Sequence, residues 1–371
     1  MNPLIKWPGG KTGEIDKIKP YIPVYNRYIE PFFGGGALFF NLEPPVASVN
    51  DISSSLIEFY RLIKNQDKEL YNLLLCYNDS FSNLLNICCD NYDEILNIYH
   101  ITEEKENNPE YKLNELINNL SEKIDSGFNE EIVTDRNKFY ARLVSVSSDK
   151  IKRTVKNNKK KPFSDEDLKN NLLTGFMSGY YMYFRDVFND ISLKRMKNTS
   201  VQYKTANFYF IREYCYGSMF RYNRAGEFNI PYGGISYNSK NFKAKIENMF
   251  NKKVEIIFKN TDIHCCDFEE FFKKSELTEN DFMFLDPPYD TNFSDYEGKD
   301  FSRFDQERLS YCLKNINARF ILVIKNTDFI YNLYKDDFNI LSFDNQYTYN
   351  VRSRNERNVE HLLITNHPVI S

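Results

Sequence analysis

Hydrophobic and polar positions divide the chain into two textures. From about residue 250 onward, short apolar or β-branched runs recur: VEIIF (254–258), FMFL (282–285), FILVI (320–324) and HLLIT (361–365). Runs of this length predict buried strands. Between the second and third, SRFDQERLSYCLKNI (302–316) sets Leu309, Cys312, Leu313 and Ile316 on one helical face. Near the start, RYIEPFFGGGALFF (27–40) reads as a strand that turns through glycines into a helix, and PVASVND (45–51) as another short strand. Strand and helix alternation predicts an α/β fold with a mostly parallel sheet. That sheet begins near residue 28 and ends near 365. The intervening stretch has apolar residues at three- and four-residue spacing in ELYNLLLCYN (69–78), YKLNELINNLSEKI (111–124) and LKNNLLTGFMSGYYMYF (168–184), which predicts helices. We therefore expect one sheet domain from 1–64 and 250–371, interrupted by a mostly helical region over 65–249.

Composition narrows the class. The chain has 371 residues, of which 42% are hydrophobic and 27% charged, so it is globular rather than disordered. A formal net charge of −4 excludes coating nucleic acid by bulk charge, and any such role needs a local basic patch. The basic cluster in KNNKKKPFSDED (156–167) is expected to be a solvated loop. Seven cysteines include the adjacent pairs Cys88-Cys89 and Cys265-Cys266 but no C-x-x-C, so we expect reduced thiols and neither a disulfide frame nor a metal site. The N-terminus lacks a signal layout and no apolar run is long enough to span a bilayer, so a cytoplasmic protein that is not secreted is expected.

The chemistry-bearing stretch is DFMFLDPPYD (281–290). A buried strand ends there on an acid, two prolines and a tyrosine, more than is needed to stop a strand. The glycine turn Gly34-Gly35-Gly36 lets a ligand approach the backbone at the edge where α/β sheets bind ligands. It matches neither the P-loop nor the dinucleotide fingerprint. Asp51 ends the next strand near the offset, about 20 residues, at which such sheets hydrogen-bond a ribose diol. An adenosine-bearing ligand is thereby favoured over a bare phosphate. KWPGGK (6–11) supplies a second glycine turn with the only tryptophan.

In type and order, KWPGGK, EPFFGGG, the ND at 50–51 and DPPY resemble the motifs of the DNA adenine methyltransferase (Dam) family, S-adenosylmethionine-dependent enzymes that methylate N6 of adenine in duplex DNA. RYNRAGEFNIPYGG (221–234) is similar to the family's DNA-contacting hairpin, and VRSRNERNVEHLLITN (351–366) to its closing segment. The resemblance covers roughly 1–64 and 180–371. It implies a Rossmann-like methyltransferase sheet with an inserted, mostly helical target-recognition region carrying a β-hairpin. It implies S-adenosyl-L-methionine held by Trp7, Gly9, Gly10, Lys11, Glu30, Phe32, Gly34, Gly36, Asp51, Asp267 and Asp286. Catalysis would fall to Asp286, Pro287, Pro288 and Tyr289, acting on an adenine flipped out of double-stranded DNA. DNA contacts would come from Met219, Arg221, Asn223, Pro231, Arg352 and Arg354.

Two departures limit the transfer. The hairpin reads YGSMFRYN (216–223), with Gly217, Met219 and Gly234 at positions where the family has other residues, so a GATC target is not implied. The separation of Asp51 from Arg221 also exceeds the family's usual one, which marks about 78–175 as a helical insertion, a candidate for DNA contact, a protein partner or self-association. Two other functions remain compatible with these residues. One keeps the chemistry but methylates cytosine N4 or adenine in RNA. The other is a non-catalytic DNA-binding or partner subunit with a retained cofactor fold.

Overall fold

A computed structural model describes residues 1–105, 108–126, 130–289, 301–346 and 358–368. The chain divides into two compact units, Met1–Asn65 with Asn251–Ser371, and Gln66–Phe250.

The first unit is built on one sheet of seven strands: β1 Arg27–Glu30, β2 Ala47–Asn50, β3 Thr261–His264, β4 Asp281–Leu285, β5 Arg319–Lys325, β6 Asn339–Gln346 and β7 Asn358–Thr365. Their spatial order is β3-β2-β1-β4-β5-β7-β6. Pairs β1–β2, β2–β3, β1–β4 and β4–β5 are parallel, while β7 runs antiparallel to both its neighbours. Every residue of β4 is buried, as expected for a parallel strand covered on both faces. On one face Ile29, Met283, Leu285, Phe320, Leu322 and Ile364 pack against helices Phe268–Lys274, Arg303–Lys314 and Asp328–Tyr334. On the other, Tyr28 meets both Phe282 and Phe39, and Phe39 in turn meets Phe258.

One predicted strand is a helix. VEIIF lies within Lys252–Lys259, capped by the Asn251 side chain on the Val254 amide. Val254, Ile257 and Phe258 share the buried face at helical spacing, and Ile256 is exposed. The β-branched run yields here to a strong N-cap and to an apolar partner on one side only. The third strand follows directly, at Thr261–His264.

The sheet order places a switch point between β1 and β4, because β1 is followed by β2 on one side while β4 leads to β5 on the other. Ligands of α/β sheets bind outside the carboxyl ends of strands at such a point. Asn50, the last residue of β2, ties the loops there together. Its amide nitrogen donates to the Pro31 and Cys266 carbonyls, each at 3.0 Å, and its oxygen accepts from the Cys266 amide at 3.0 Å.

The second unit is a helical bundle. Helices Lys68–Asp90, Arg136–Asn158, Asp165–Ser192 and Val201–Tyr214 enclose an aromatic core in which Tyr77, Tyr180, Phe184 and Phe210 meet. Gly179 permits close packing: a Cβ there would stand 2.8 Å from the Leu143 Cα of the facing helix. Both ends of the 78–175 segment fall inside helices, Lys68–Asp90 and Asp165–Ser192, so its helices are continuous with the bundle. The basic stretch 156–167 spans the last turn of one helix, a short connection and the first turn of the next, with Lys156, Lys159, Lys160 and Lys161 exposed. Among the described residues, no helix is long and apolar enough to cross a membrane.

Asn50→Leu keeps the number and branching of side-chain heavy atoms and strips three backbone groups of their partner. With about 1–3 kcal/mol for each buried group left unpaired, a stability loss on the order of 3 kcal/mol is expected, read as a lowered midpoint of thermal unfolding.

Candidate active site

The glycine turn after β1 is shaped by what lies on it. Gly34 has φ of 49° and Gly36 φ of 64°, in the left-handed region that disfavours residues with a Cβ. A Cβ on Gly34 would come within 2.9 Å of the Trp7 ring, and one on Gly36 within 2.7 Å of the Phe33 ring. Trp7 therefore lies directly over the turn. The turn is pinned from β2: Asp51 Oδ2 accepts from the Gly34 amide at 2.8 Å and Oδ1 from the Ser53 amide at 2.9 Å. Tyr60 donates to the Gly34 carbonyl at 3.1 Å. The result is a rigid acid beside a glycine backbone packed under Trp7 and Phe33.

Across the switch point, β4 ends and Asp286-Pro287-Pro288-Tyr289 begins. Lys11, only 3% exposed, organises this loop. Its ammonium reaches Asp286 Oδ1 at 2.7 Å, the Tyr289 hydroxyl at 2.7 Å and the Gly9 carbonyl at 3.1 Å. An ammonium has three protons and no acceptor, so these three contacts use all of it. Gly9 turns with φ of 78°, which brings its carbonyl back to Lys11, and Gly10 sits against the Trp7 carbonyl. The Pro288 carbonyl accepts from the buried Gln306 amide at 3.1 Å. Tyr289 also faces His361, with its hydroxyl 3.4 Å from Nε2.

Charge is concentrated here. Burial pushes the Asp286 carboxyl above the ordinary aspartate range even though Lys11 pulls the other way. Glu30 ends β1 fully enclosed, with the Tyr28 hydroxyl donating to Oε2 at 2.9 Å. Burial raises its pKa well above the usual value; Tyr28 opposes the shift, and Asp286 and Asp51 add to it. Glu30 thus feels both other carboxyl groups at the switch point.

Two site residues expected from sequence have further duties. Asp267 caps helix Phe268–Lys274 through the Glu269 amide at 3.0 Å and pairs with Arg308 at 2.7 Å. Phe32 is half-buried, its ring against Phe268 and edge-on to Phe301, both at 5.6 Å between centroids.

The hairpin lies in the helical unit. It is not a strand ladder but two isolated antiparallel bridges, Cys215↔Tyr232 and Tyr222↔Phe228. Side chains add to the few backbone bonds across it. The Asn189 amide pairs with both the N–H and C=O of Phe228, at 2.8 and 3.1 Å, and Tyr181 donates to the Ile230 carbonyl at 3.0 Å. The buried Arg212 holds the Met219 carbonyl at 2.9 Å. Asn223 closes the tip: Oδ1 accepts from Ala225 and Glu227 amides at 3.0 and 2.9 Å, and Nδ2 donates to Glu227. Arg221 is exposed and donates to Asn229 Oδ1 at 2.8 Å. Pro231 is exposed and its carbonyl accepts from Tyr216 at 2.8 Å. Arg352 and Arg354 lie outside the described residues.

Sequence reasoning missed Asn50, Gln306, Glu14 and His361. Asn50 was legible only as the neighbour of Asp51. Glu14 and Gln306 sit in no motif; His361 opens the HLLIT run within the closing segment, but its role comes from the fold alone.

A family model described as D12 class N6 adenine-specific DNA methyltransferase matches residues 7–141 and 126–349. The chain is 25% identical to the type II methyltransferase M.CviBI of Paramecium bursaria Chlorella virus NC1A, over 99% of this chain and 100% of that protein. It is 24% identical to the type II methyltransferase M1.LlaDCHI of Lactococcus lactis subsp. cremoris, over 99% and 96%. It is 26% identical to the type II methyltransferase M.MjaIII of Methanocaldococcus jannaschii, over 92% and 90%. The first two alignments span nearly the whole chain, the 78–175 segment included.

Glu30 gives the site a pH signature. Its folded pKa is raised, so the native state holds a proton that the unfolded chain releases. That stabilising difference is fully present below the ordinary glutamate range and is lost as pH rises from there through the folded value. Glu30→Gln removes the difference while keeping an acceptor for Tyr28. Unfolding midpoints measured from acid to alkaline pH should fall less in the variant than in the wild type.

Proposed function

The chain belongs to the D12 class of N6 adenine-specific DNA methyltransferases, and from that premise we propose how its residues divide the work. The methyl donor is S-adenosyl-L-methionine, and the acceptor is an adenine turned out of double-stranded DNA. The observation that carries this reading is the Asp286–Tyr289 loop, fastened by Lys11 across the switch point from the glycine turn and Asp51.

The residues fit such a donor. Asp51 and Asp286 bring carboxylates to the crevice, which suits a ligand carrying sulfonium and ammonium charges, while Glu30 holds its proton there. Asp51, held by two backbone amides, is placed to accept from the ribose hydroxyls. The turn at Gly34 and Gly36, with Trp7 packed on it, fixes the backbone beside which Glu30 and Phe32 line the donor's methionine side. Gly9 and Gly10 form the turn that leads to Lys11, and Asp267 is assigned to the adenine-ring side. Bound there, the donor supplies an electrophilic methyl group.

An adenine amino group is a weak nucleophile because its lone pair is delocalised into the ring, and its nitrogen becomes positive as it attacks. The Asp286 carboxylate and the Pro287 carbonyl accept its two hydrogens and stabilise that charge. Gln306 occupies the Pro288 carbonyl, which leaves the accepting role to Pro287. Poor solvation of Asp286, visible in its raised pKa, strengthens its pull on a developing positive charge. Prolines 287 and 288 keep both acceptors in place with little rearrangement. Tyr289 offers a ring for the base to stack on.

The sheet unit is thus the catalytic domain and the helical unit the target-recognition region. Within it, the exposed Arg221 reads a base edge or phosphate, beside Met219 and Pro231, while Asn223 sets the loop's shape. Arg352 and Arg354 are assigned to phosphate contacts.

Asp286→Ala should lower methyl transfer by roughly 10²–10³-fold, the usual cost of deleting one charge-stabilising group, with DNA affinity little changed in a filter or fluorescence binding assay. Near wild-type turnover would remove Asp286 from the chemistry. Arg221→Ala should weaken binding to the methylated sequence by about 1–3 kcal/mol. Unchanged affinity and unchanged target preference would take Arg221 out of recognition.

A further inference from the structure

Beyond the motif residues lies a buried pair that the methyl-transfer chemistry has not used. His361 is fully buried on β7, and Glu14 is almost fully buried after the first glycine turn. His361 Nδ1 stands 3.0 Å from Glu14 Oε2, and Nε2 stands 3.4 Å from the Tyr289 hydroxyl. The His361 and Tyr289 rings meet edge-on, with centroids 5.6 Å apart and planes at 60°.

The donor and acceptor roles follow from chemistry. Lys11 can only donate, so the Tyr289 oxygen accepts from it and the hydroxyl proton points elsewhere. A carboxylate accepts, so Glu14 draws the proton of His361 to Nδ1 and leaves the Nε2 lone pair towards Tyr289. One chain of hydrogen bonds then runs from Glu14 through His361, Tyr289 and Lys11 to Asp286. Sheet topology explains how a residue so late in sequence reaches this edge. Strand β7 runs against its neighbours, so its early residues lie where the parallel strands end, and His361 pairs with Lys325, the last residue of β5.

We propose that Glu14 and His361 form a positioning pair that sets the direction of the Tyr289 hydroxyl, and with it the plane of the ring on which the target base stacks. The inference rests on the stacking role assigned to Tyr289. Neither residue of the pair touches the reacting atoms. Its effect is expected in the methyl-transfer step more than in donor binding, since the pair's contact with the site is the Tyr289 hydroxyl and ring.

The test is a double-mutant cycle on the full chain with S-adenosylmethionine and unmethylated genomic DNA. His361→Leu should lower kcat by about tenfold, a loss equal to about 1.4 kcal/mol of transition-state stabilisation, and leave KM for the donor near the wild-type value. His361→Gln, which returns an acceptor towards Tyr289, should recover most of that loss. Tyr289→Phe keeps the ring and deletes the hydroxyl; in that background His361→Leu should cost nothing further. Glu14→Gln, an isosteric change that spares the packing if His361→Leu fails to fold, should lower kcat several-fold in the wild type and not at all beside Tyr289→Phe. The proposal is overturned if the variants keep wild-type kcat, or if their losses add in full to that of Tyr289→Phe. If the wild type itself transfers no methyl group to adenine, it is the reading of the reaction that fails, and the pair with it.

Discussion

One ammonium group holds the site together. Lys11 belongs to the N-terminal glycine turn, Asp286 and Tyr289 to the loop after β4, and a single Nζ binds both along with the Gly9 carbonyl. Burying such an ion is costly unless every proton has a partner. Here all three do, so the pair contributes position more than stability. It fixes the distance between the N-terminal glycine turn and the loop after β4. Proximity between two bound groups is worth many orders of magnitude in rate only when it is held this closely.

The sheet makes that clamp possible. Parallel strands β1, β2 and β4 deliver Glu30, Asp51 and Asp286 to one carboxyl edge, and the switch point opens a crevice between them. Burial holds the proton on Glu30, and the charges of Asp286 and Asp51 add to the effect. A cationic ligand would offset the same charges. Antiparallel β7 adds His361 to the edge from the opposite chain direction. The helical unit offers a different solution to a similar problem, fastening an exposed hairpin by buried side chains, Asn189, Tyr181 and Arg212, instead of by a strand ladder.

Much of this was legible in the sequence, for reasons that differ by residue. Glycine turns, the Pro-Pro loop and Asp51 declare themselves because each meets a local backbone demand, and local demands leave local signatures. The central strands were readable because both faces are covered and their apolar runs are unbroken. VEIIF failed because a short β-branched run carries no period long enough to separate strand from helix, and the Asn251 cap decided it. β6 had no such run and went unnoticed. Glu14 and His361 could not be paired from sequence, since only the reversal of β7 brings them together. Gln306 and Asn50 were equally silent: a buried amide looks like any other until its partners are known.

The most direct test of the account is to incubate the protein with methyl-labelled S-adenosylmethionine and unmethylated genomic DNA, digest to nucleosides and map the product. The account predicts label in N6-methyladenine, confined to one short sequence and favoured by double-stranded over single-stranded DNA or RNA. Label in N4-methylcytosine or in RNA, or no transfer by protein that binds the donor, would contradict it.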